Sequence, residues 1–156
     1  MKLIRTFIFA MLALVMLPAV AQQSGPPVRW RAIVKMGADN TGTLTIKALV
    51  AEGWHLYGFD LPEGGPKPTT IDLSESVGLD FTGPIAPARP AITVDDPLFG
   101  MTLSWWDSNV EFKVPFKLTA DSGMFKCKIN YMTCDGTTCR PPATEILTGT
   151  VKHKAN

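Results

Sequence analysis

Two cysteines near the end of the chain are the residues best suited to chemistry. Cys134 and Cys139 lie five positions apart, and Asp135 and Gly136 between them are residues that favour a turn. The chain can therefore fold back and bring both sulfurs within disulfide range. A bond across so short a loop would stabilise the fold by only about 2 kcal/mol. A purely structural disulfide would therefore add little stability here, and a redox role has to be considered.

The residues that follow the two cysteines differ in charge. Arg140 directly follows Cys139 and favours its thiolate, whereas Asp135 directly follows Cys134 and opposes a negative charge there. If one sulfur attacks a partner, Cys139 is the better candidate. The two prolines at 141–142 hold the next stretch of backbone extended and remove two amide donors, which favours a position of the thiol at a rim.

Three uses of this pair remain open on spacing and composition. A plain hairpin disulfide is the commoner use of cysteine in exported chains, and a redox pair and a metal site are the alternatives. The chain has three cysteines and two histidines without the paired spacings of zinc sites, so we expect no metal and no cofactor. Met101 and Met132 are the soft ligands that a metal-handling role would add.

The first 21 residues have the pattern of an export signal. Lys2 and Arg5 provide a basic start, an unbroken apolar run follows at residues 7–17, and three small residues at 19–21 form a cleavage site. We expect this leader to be removed, which leaves residues 22–156 as one soluble periplasmic domain with no membrane span.

Charge argues against one class of partner. The leader contains two of the fifteen basic residues, so thirteen remain against fourteen acidic ones and the net charge of the exported part is −1. A near-neutral chain without a basic patch is not expected to bind nucleic acid. Export also places the cysteines in a compartment where disulfides persist.

Apolar residues outside the leader recur with period two, which predicts strands. The clearest strand covers residues 110–118, where five apolar residues alternate with polar ones, and Pro115 within it suggests an edge or a bulge. The next strand has Cys127 on its apolar face, where we expect an inert buried thiol. Trp30 is expected in the core, and the adjacent rings of 105–106 must point to opposite faces. Eight or nine such strands predict an all-β, immunoglobulin-like antiparallel sandwich.

Residues at three further places have either a functional role or a structural one. His55 lies in an aromatic cluster, and we expect a half-buried ring with an ordinary hydrogen bond in preference to a proton carrier. Tyr57 is expected to be a packed ring whose hydroxyl reaches a partner. Leu98 and Phe99 stand between a turn signal and a glycine, so they form either a lid or contact surface, or a plug for the core.

These segments together resemble a known family. Residues 53–57 (Gly-Trp-His-Leu-Tyr), residues 96–100 (Asp-Pro-Leu-Phe-Gly) and the pattern Tyr-x-x-Cys-x4-Cys-x-Pro-Pro at 131–142 are similar to segments of the N-terminal periplasmic domain of the thiol:disulfide interchange protein DsbD. The sequence is more similar to the free-standing exported versions of that domain. The three segments and their spacing extend over most of the chain after the leader.

The resemblance implies an immunoglobulin-like sandwich with a redox-active pair in an inserted hairpin under a cap loop. It implies that Cys139 forms the mixed disulfide and Cys134 resolves it, the order that the flanking charges also favour. The cap would be Asp96 to Gly100, with Leu98 at the position of the family's shielding aromatic and Phe99 beside it. Tyr57 corresponds to a tyrosine near the active site.

One departure from the family pattern concerns the cap. Pro97 stands where the family has an acidic residue, so no carboxylate is present there for an acid-base step. The predicted function is a relay of electrons between a membrane-embedded transporter or thioredoxin-like reductant and exported proteins, as a component of protein-disulfide reduction. The alternative is an exported immunoglobulin-like binding module whose disulfide is only structural.

Overall fold

The computed structural model describes residues 25–153, and every regular element in this part of the chain is a β-strand. The predicted leader at residues 1–21 lies outside the described residues. The strands in chain order are β1 Val28–Met36, β2 Thr41–Val50, β3 His55–Tyr57, β4 Thr70–Asp72, β5 Leu79–Phe81, β6 Ala86–Pro87, β7 Ile92–Asp96, β8 Met101–Trp106, β9 Val110–Leu118, β10 Ser122–Tyr131, β11 Thr133–Cys134 and β12 Ala143–Lys152. Within residues 25–153 no helix has the length and apolar character needed to cross a bilayer.

The strands form three antiparallel sheets. The first has the order β1-β2-β9-β5, with β6 also paired to β9, and the second has the order β12-β10-β4. The third, β11-β3-β8-β7, contains the first cysteine of the pair. This all-β arrangement of antiparallel sheets confirms the immunoglobulin-like sandwich that the alternating pattern predicts.

The main core lies between the apolar faces of the first two sheets. The alternation in β9 is confirmed, because all five of its apolar residues are buried. β10 contributes its own alternate residues from the second sheet, and Trp30 enters the same core from β1. Cys127 is fully buried there, and burial raises the pKa of its thiol to about 12, with Asp72 adding to the effect. It therefore remains an uncharged thiol at any ordinary pH.

Pro115 does not mark an edge, which corrects the expectation from sequence. β9 is an interior strand with β2 on one side and both β5 and β6 on the other. β5 pairs with residues 116–118 and β6 with residues 112–113, so Pro115 faces the gap between the two short strands. A proline is tolerated there because neither short strand pairs with residue 115, and its carbonyl still accepts from the amide of Thr82 at 3.0 Å.

The third sheet is apolar on both faces, and the functional site lies on the face that does not pack on the main core. Leu56 and Trp106 belong to the main core, whereas Tyr57 and Trp105 belong to a second apolar cluster. The two tryptophans therefore point to opposite faces, as predicted from their adjacency. Because one face rests on the rigid sandwich, side chains on the other face are held on a firm support.

Candidate functional site

The cysteine pair closes a tight turn at the end of β11. Cys134 and Cys139 are joined as a disulfide, with their Cα atoms 4.0 Å apart. The Asp135 side chain organises the turn: its Oδ1 accepts hydrogen bonds from the amides of Thr137 (2.9 Å) and Thr138 (2.7 Å). These bonds hold the pKa of the Asp135 carboxyl below its usual range, the one from Thr138 contributing most. The remaining residue of the turn, at 136, is a glycine with a φ of 87°, a conformation that glycine adopts without strain.

The two sulfurs differ in exposure. Cys134 is completely buried, while Cys139 is only partly buried and stands at the rim of the turn. The register of β11 on β3 places Cys134 opposite His55 on one side, and an isolated bridge places it opposite Cys139 on the other. Of the two cysteines, Cys139 is therefore the one that borders solvent.

Tyr57 contacts the disulfide directly. Its hydroxyl donates a hydrogen bond to Cys134 Sγ at 3.2 Å and lies 4.0 Å from Cys139 Sγ. The side chain is fully buried, and this burial raises the pKa of the phenol well above its ordinary value, with the negative charge of Asp96 adding to the effect. Tyr57 therefore remains protonated and acts as a hydrogen-bond donor to sulfur. The expectation that its hydroxyl reaches a partner is confirmed.

The loop from Asp96 to Gly100, which we call the cap loop, folds over this tyrosine. Asp96 is buried, and its Oδ1 accepts hydrogen bonds from the amides of Leu98 (2.7 Å) and Phe99 (3.1 Å). The Phe99 ring stands perpendicular to the Tyr57 ring, with 6.1 Å between the ring centres. Leu98, by contrast, is 50% exposed. Of the two residues expected to shield the disulfide, Phe99 packs on the site and Leu98 points to solvent.

His55 lies deeper in the site than its sequence indicates. It is 8% exposed and stacks on Trp105, with ring centres 4.3 Å apart, and meets Tyr57 edge-on at 5.0 Å. Burial lowers the pKa of His55, opposed by the charges of Asp96 and of other acidic residues. Its Nε2 is buried without a hydrogen-bond partner, so the expected ordinary hydrogen bond is not made at that nitrogen.

The side chain of Arg140 contacts an aromatic ring. The guanidinium lies over the Trp54 ring, with Cζ 5.5 Å from the ring centre, in the geometry of a cation-π contact. Its backbone N–H donates to the carbonyl of Thr133 at 2.9 Å and so ties the strand after the turn to β11. The side chain thus occupies the surface beside the disulfide.

Several residues of the second cluster were not predicted to belong to the site. Leu103 and Trp105 from β8 line it, together with Leu61 from the proline-rich connection after β3. The available signal was the pair of bulky rings at 105–106, because a strand with large apolar residues on both faces must be covered on both faces. No group of three or more histidine, cysteine or acidic side chains within residues 25–153 has the geometry to hold a metal ion.

Comparison with known proteins places this chain in a family. The model of the family described as "Thiol:disulfide interchange protein DsbD, N-terminal" matches residues 24–150. No curated protein matches the chain significantly.

Among solved structures, the N-terminal periplasmic domain of ScsB from Proteus mirabilis superposes with a TM-score of 0.57 at 18% identity. The match covers 83% of this chain and 48% of that one, so this chain spans about half the length of the ScsB domain. The reduced form of the Neisseria meningitidis DsbD N-terminal domain is 16% identical with a TM-score of 0.49, and covers 82% of this chain and 94% of that one. From the family match over residues 24–150, the chain belongs to the family of DsbD N-terminal domains.

Proposed function

We propose that this protein exchanges disulfides with other proteins, with Cys139 as the exchanging sulfur and Cys134 as the resolving one. The observation that supports this order is the unequal burial of the pair, since Cys134 is completely buried and Cys139 stands at the rim. Exchange requires a sulfur that a second protein can approach along the line of the disulfide. Only Cys139 meets that requirement without a rearrangement of the turn.

The exchange consists of two displacements that balance in atoms and electrons. In the reduced protein, the thiolate of Cys139 attacks a partner disulfide, a bond forms between the two proteins, and the partner's second sulfur leaves as a thiolate that takes up a proton. Cys134 then loses its proton and attacks Cys139, which releases the first partner sulfur as a thiol. The partner gains two electrons and two protons, and the bond between Cys134 and Cys139 is restored.

The surrounding residues support the resolving step. The Tyr57 hydroxyl donates to Cys134 Sγ, and the same donor stabilises a thiolate there when the disulfide opens. Phe99 and the rest of the cap loop cover the site until a partner displaces them, which limits oxidation of the reduced pair by small molecules. Protons released and taken up during the exchange pass to and from solvent at the exposed side of the turn, where Cys139 lies.

The cellular setting is part of the same proposal. Residues 1–21 act as a cleaved leader, and residues 22–156 form one soluble domain in the periplasm. Its partners are thioredoxin-like proteins and a membrane electron transporter, and it uses no cofactor of its own. It contributes to protein-disulfide reduction as a relay.

Covalent trapping tests the assignment of the two sulfurs. Each single variant, Cys134→Ser and Cys139→Ser, is produced in reduced form and mixed with an oxidised thioredoxin-like protein. We expect Cys134→Ser to accumulate a mixed disulfide, seen as a band of higher mass that disappears on reduction, because the resolving thiol is gone. Cys139→Ser should form none.

The remaining outcomes decide against the proposal in different ways. Trapping by Cys139→Ser but not by Cys134→Ser would reverse the order of the sulfurs. If neither variant is trapped and the wild-type disulfide fails to equilibrate with any thioredoxin-like protein, the bond is structural and a binding module is the better description. Cys127→Ala is the matched control, because that buried thiol takes no part and its loss should leave trapping unchanged.

A further inference from the structure

A cleft beside the cysteine turn has two arginines in its walls. It has a volume of about 320 Å³, and Arg29, Arg140 and Trp54 line it together with Pro26, Pro27 and Ala51. A second cavity of about 310 Å³ is lined by Arg140, the same two prolines and Pro141. Arg140 therefore lines both hollows. Together they are large enough for an amino-acid side chain with its backbone.

Neither guanidinium in this cleft forms an ion pair within the part of the chain that the structure describes. The ion pairs there involve Lys47, Arg89, Lys113 and Lys126, and none includes Arg29 or Arg140. Glu52 is the nearest acidic residue in sequence to the Trp54 wall, yet it forms no ion pair with either arginine. The cleft is therefore a local concentration of uncompensated positive charge.

The positive charge is also held in place. The Arg140 guanidinium lies on the face of Trp54, and Trp54 N–H donates to the carbonyl of Ala51 at 3.1 Å. The Ala51 amide in turn donates to the carbonyl of Pro27 at 2.8 Å, so both sides of the cleft are joined by backbone bonds. A planar guanidinium fixed in this way is suited to a carboxylate, which it binds through two parallel hydrogen bonds.

The cleft lies close in sequence to the cysteine that exchanges with the partner. Arg140 is the residue bonded to Cys139, the less buried cysteine, so the cleft lies within reach of one or two residues from a mixed disulfide formed there. We propose that the cleft between Arg29, Arg140 and Trp54 binds a carboxylate of the molecule whose sulfur exchanges with Cys139. This inference rests on the proposed exchange and adds the chemistry of the preferred substrate, an acidic thiol or disulfide.

Two matched pairs of substrates test it. In the peptide arm, the reduced protein reacts with two short disulfide peptides that differ only in Glu against Gln two residues from the cysteine. In the small-molecule arm, it reacts with glutathione disulfide and with its tetraethyl ester. The neutral reagent 4,4′-dithiodipyridine gives the baseline. Second-order rates are measured for the wild type, Arg29→Gln, Arg140→Gln and the control Arg31→Gln, an exposed arginine on the same strand that does not line the cleft.

We expect the acidic substrate to react faster with the wild type, and each cleft variant to reduce that preference roughly three- to tenfold, the loss expected of one charge-assisted contact. Arg31→Gln should leave it unchanged. The ratio of acidic to neutral rates cancels any effect of Arg140 on the thiolate of Cys139. A preference confined to the peptide arm assigns the carboxylate to a protein partner, and one in the glutathione arm assigns it to a small thiol.

Two results overturn the inference and remain distinguishable from failure of the exchange itself. Equal rates for the acidic and neutral members of both pairs, with normal reaction at 4,4′-dithiodipyridine, remove the carboxylate site and leave the exchange in place. If the preference for the acidic substrate falls as much in Arg31→Gln as in the cleft variants, it reflects general surface charge. That result also removes the carboxylate site and leaves the exchange in place. Absence of reaction with every disulfide refutes the proposed exchange.

Discussion

Replacement of Phe99 by alanine should open the cap loop over the disulfide. Phe99 packs on the cluster that contains Tyr57 and Cys139, whereas the loop backbone is held separately by the two amide bonds to Asp96. The substitution therefore removes the shielding ring and leaves the turn that presents it. Access of a small reductant to the sulfurs should increase as a result.

The size of the effect follows from the burial of the ring. Full burial of a phenylalanine side chain stabilises a structure by about 1.5–3 kcal/mol. Phe99 is only partly buried, so its loss should weaken closure of the cap by roughly 1 kcal/mol. A free-energy change of that size is about a fivefold change in the open population. If reduction proceeds from the open form, the rate rises by about the same factor.

The assay is the second-order rate at which a phosphine reductant opens the disulfide, followed by alkylation of the new thiols and mass spectrometry. Leu98→Ala is the matched control, since it removes a large side chain from the same loop at a residue that is 50% exposed. Equal rates for Phe99→Ala and wild type would refute the reasoning. An equal acceleration in Leu98→Ala would refute it as well, because the loop and not the ring would then be the barrier.

Three further changes test other parts of the structure. Tyr57→Phe removes the donor to Cys134, so the resolving step should slow roughly tenfold and a mixed disulfide should persist longer in quenched time courses; an unchanged lifetime would exclude the hydrogen bond from the mechanism. Burial lowers the pKa of His55 in the folded protein, whereas the ordinary pKa of histidine is 6.5. Below pH 6.5 the unfolded chain therefore binds more protons than the folded chain. Stability present above pH 6.5 should therefore fall as the pH drops below it, and His55→Phe should flatten that slope in urea titrations; the same slope in both proteins would contradict the assignment. Gly149→Ala places a Cβ against a phenyl ring of the core and should lower the free energy of unfolding by about 1–3 kcal/mol, whereas an unchanged denaturation midpoint would show that the ring shifts freely.

The strand pattern and the location of the chemistry were predictable from the sequence. β9 alternates without a fault between residues 110 and 118, and its buried residues are those that the period of two indicates. The adjacent rings at 105–106 lie at the end of β8 and point to opposite faces, as their adjacency predicts. The cysteine pair was recognisable because Asp135 and Gly136 between its members favour the turn that closes it.

The orientation of single side chains at the site was not predictable in the same way. Leu98 and Phe99 are adjacent large hydrophobic residues, and only the cap loop's attachment to Asp96 decides which of them turns inward. Pro115 was expected at an edge or a bulge, because the sequence does not show that the strand beside β9 is interrupted. The contact between the Arg140 guanidinium and the Trp54 ring joins residues far apart in the chain and was not expected from the sequence.

The sequence by itself determined the β-sandwich, the buried faces of its long strands and the closure of the turn between Cys134 and Cys139, because these depend on alternation and on turn residues within a short stretch of chain. Only the tertiary structure decided that Cys134 is buried and Cys139 reachable, that Tyr57 donates to sulfur and that Arg29 and Arg140 share a cleft. Those relations join strands far apart in the chain, and their geometry exists only after the sheets have packed.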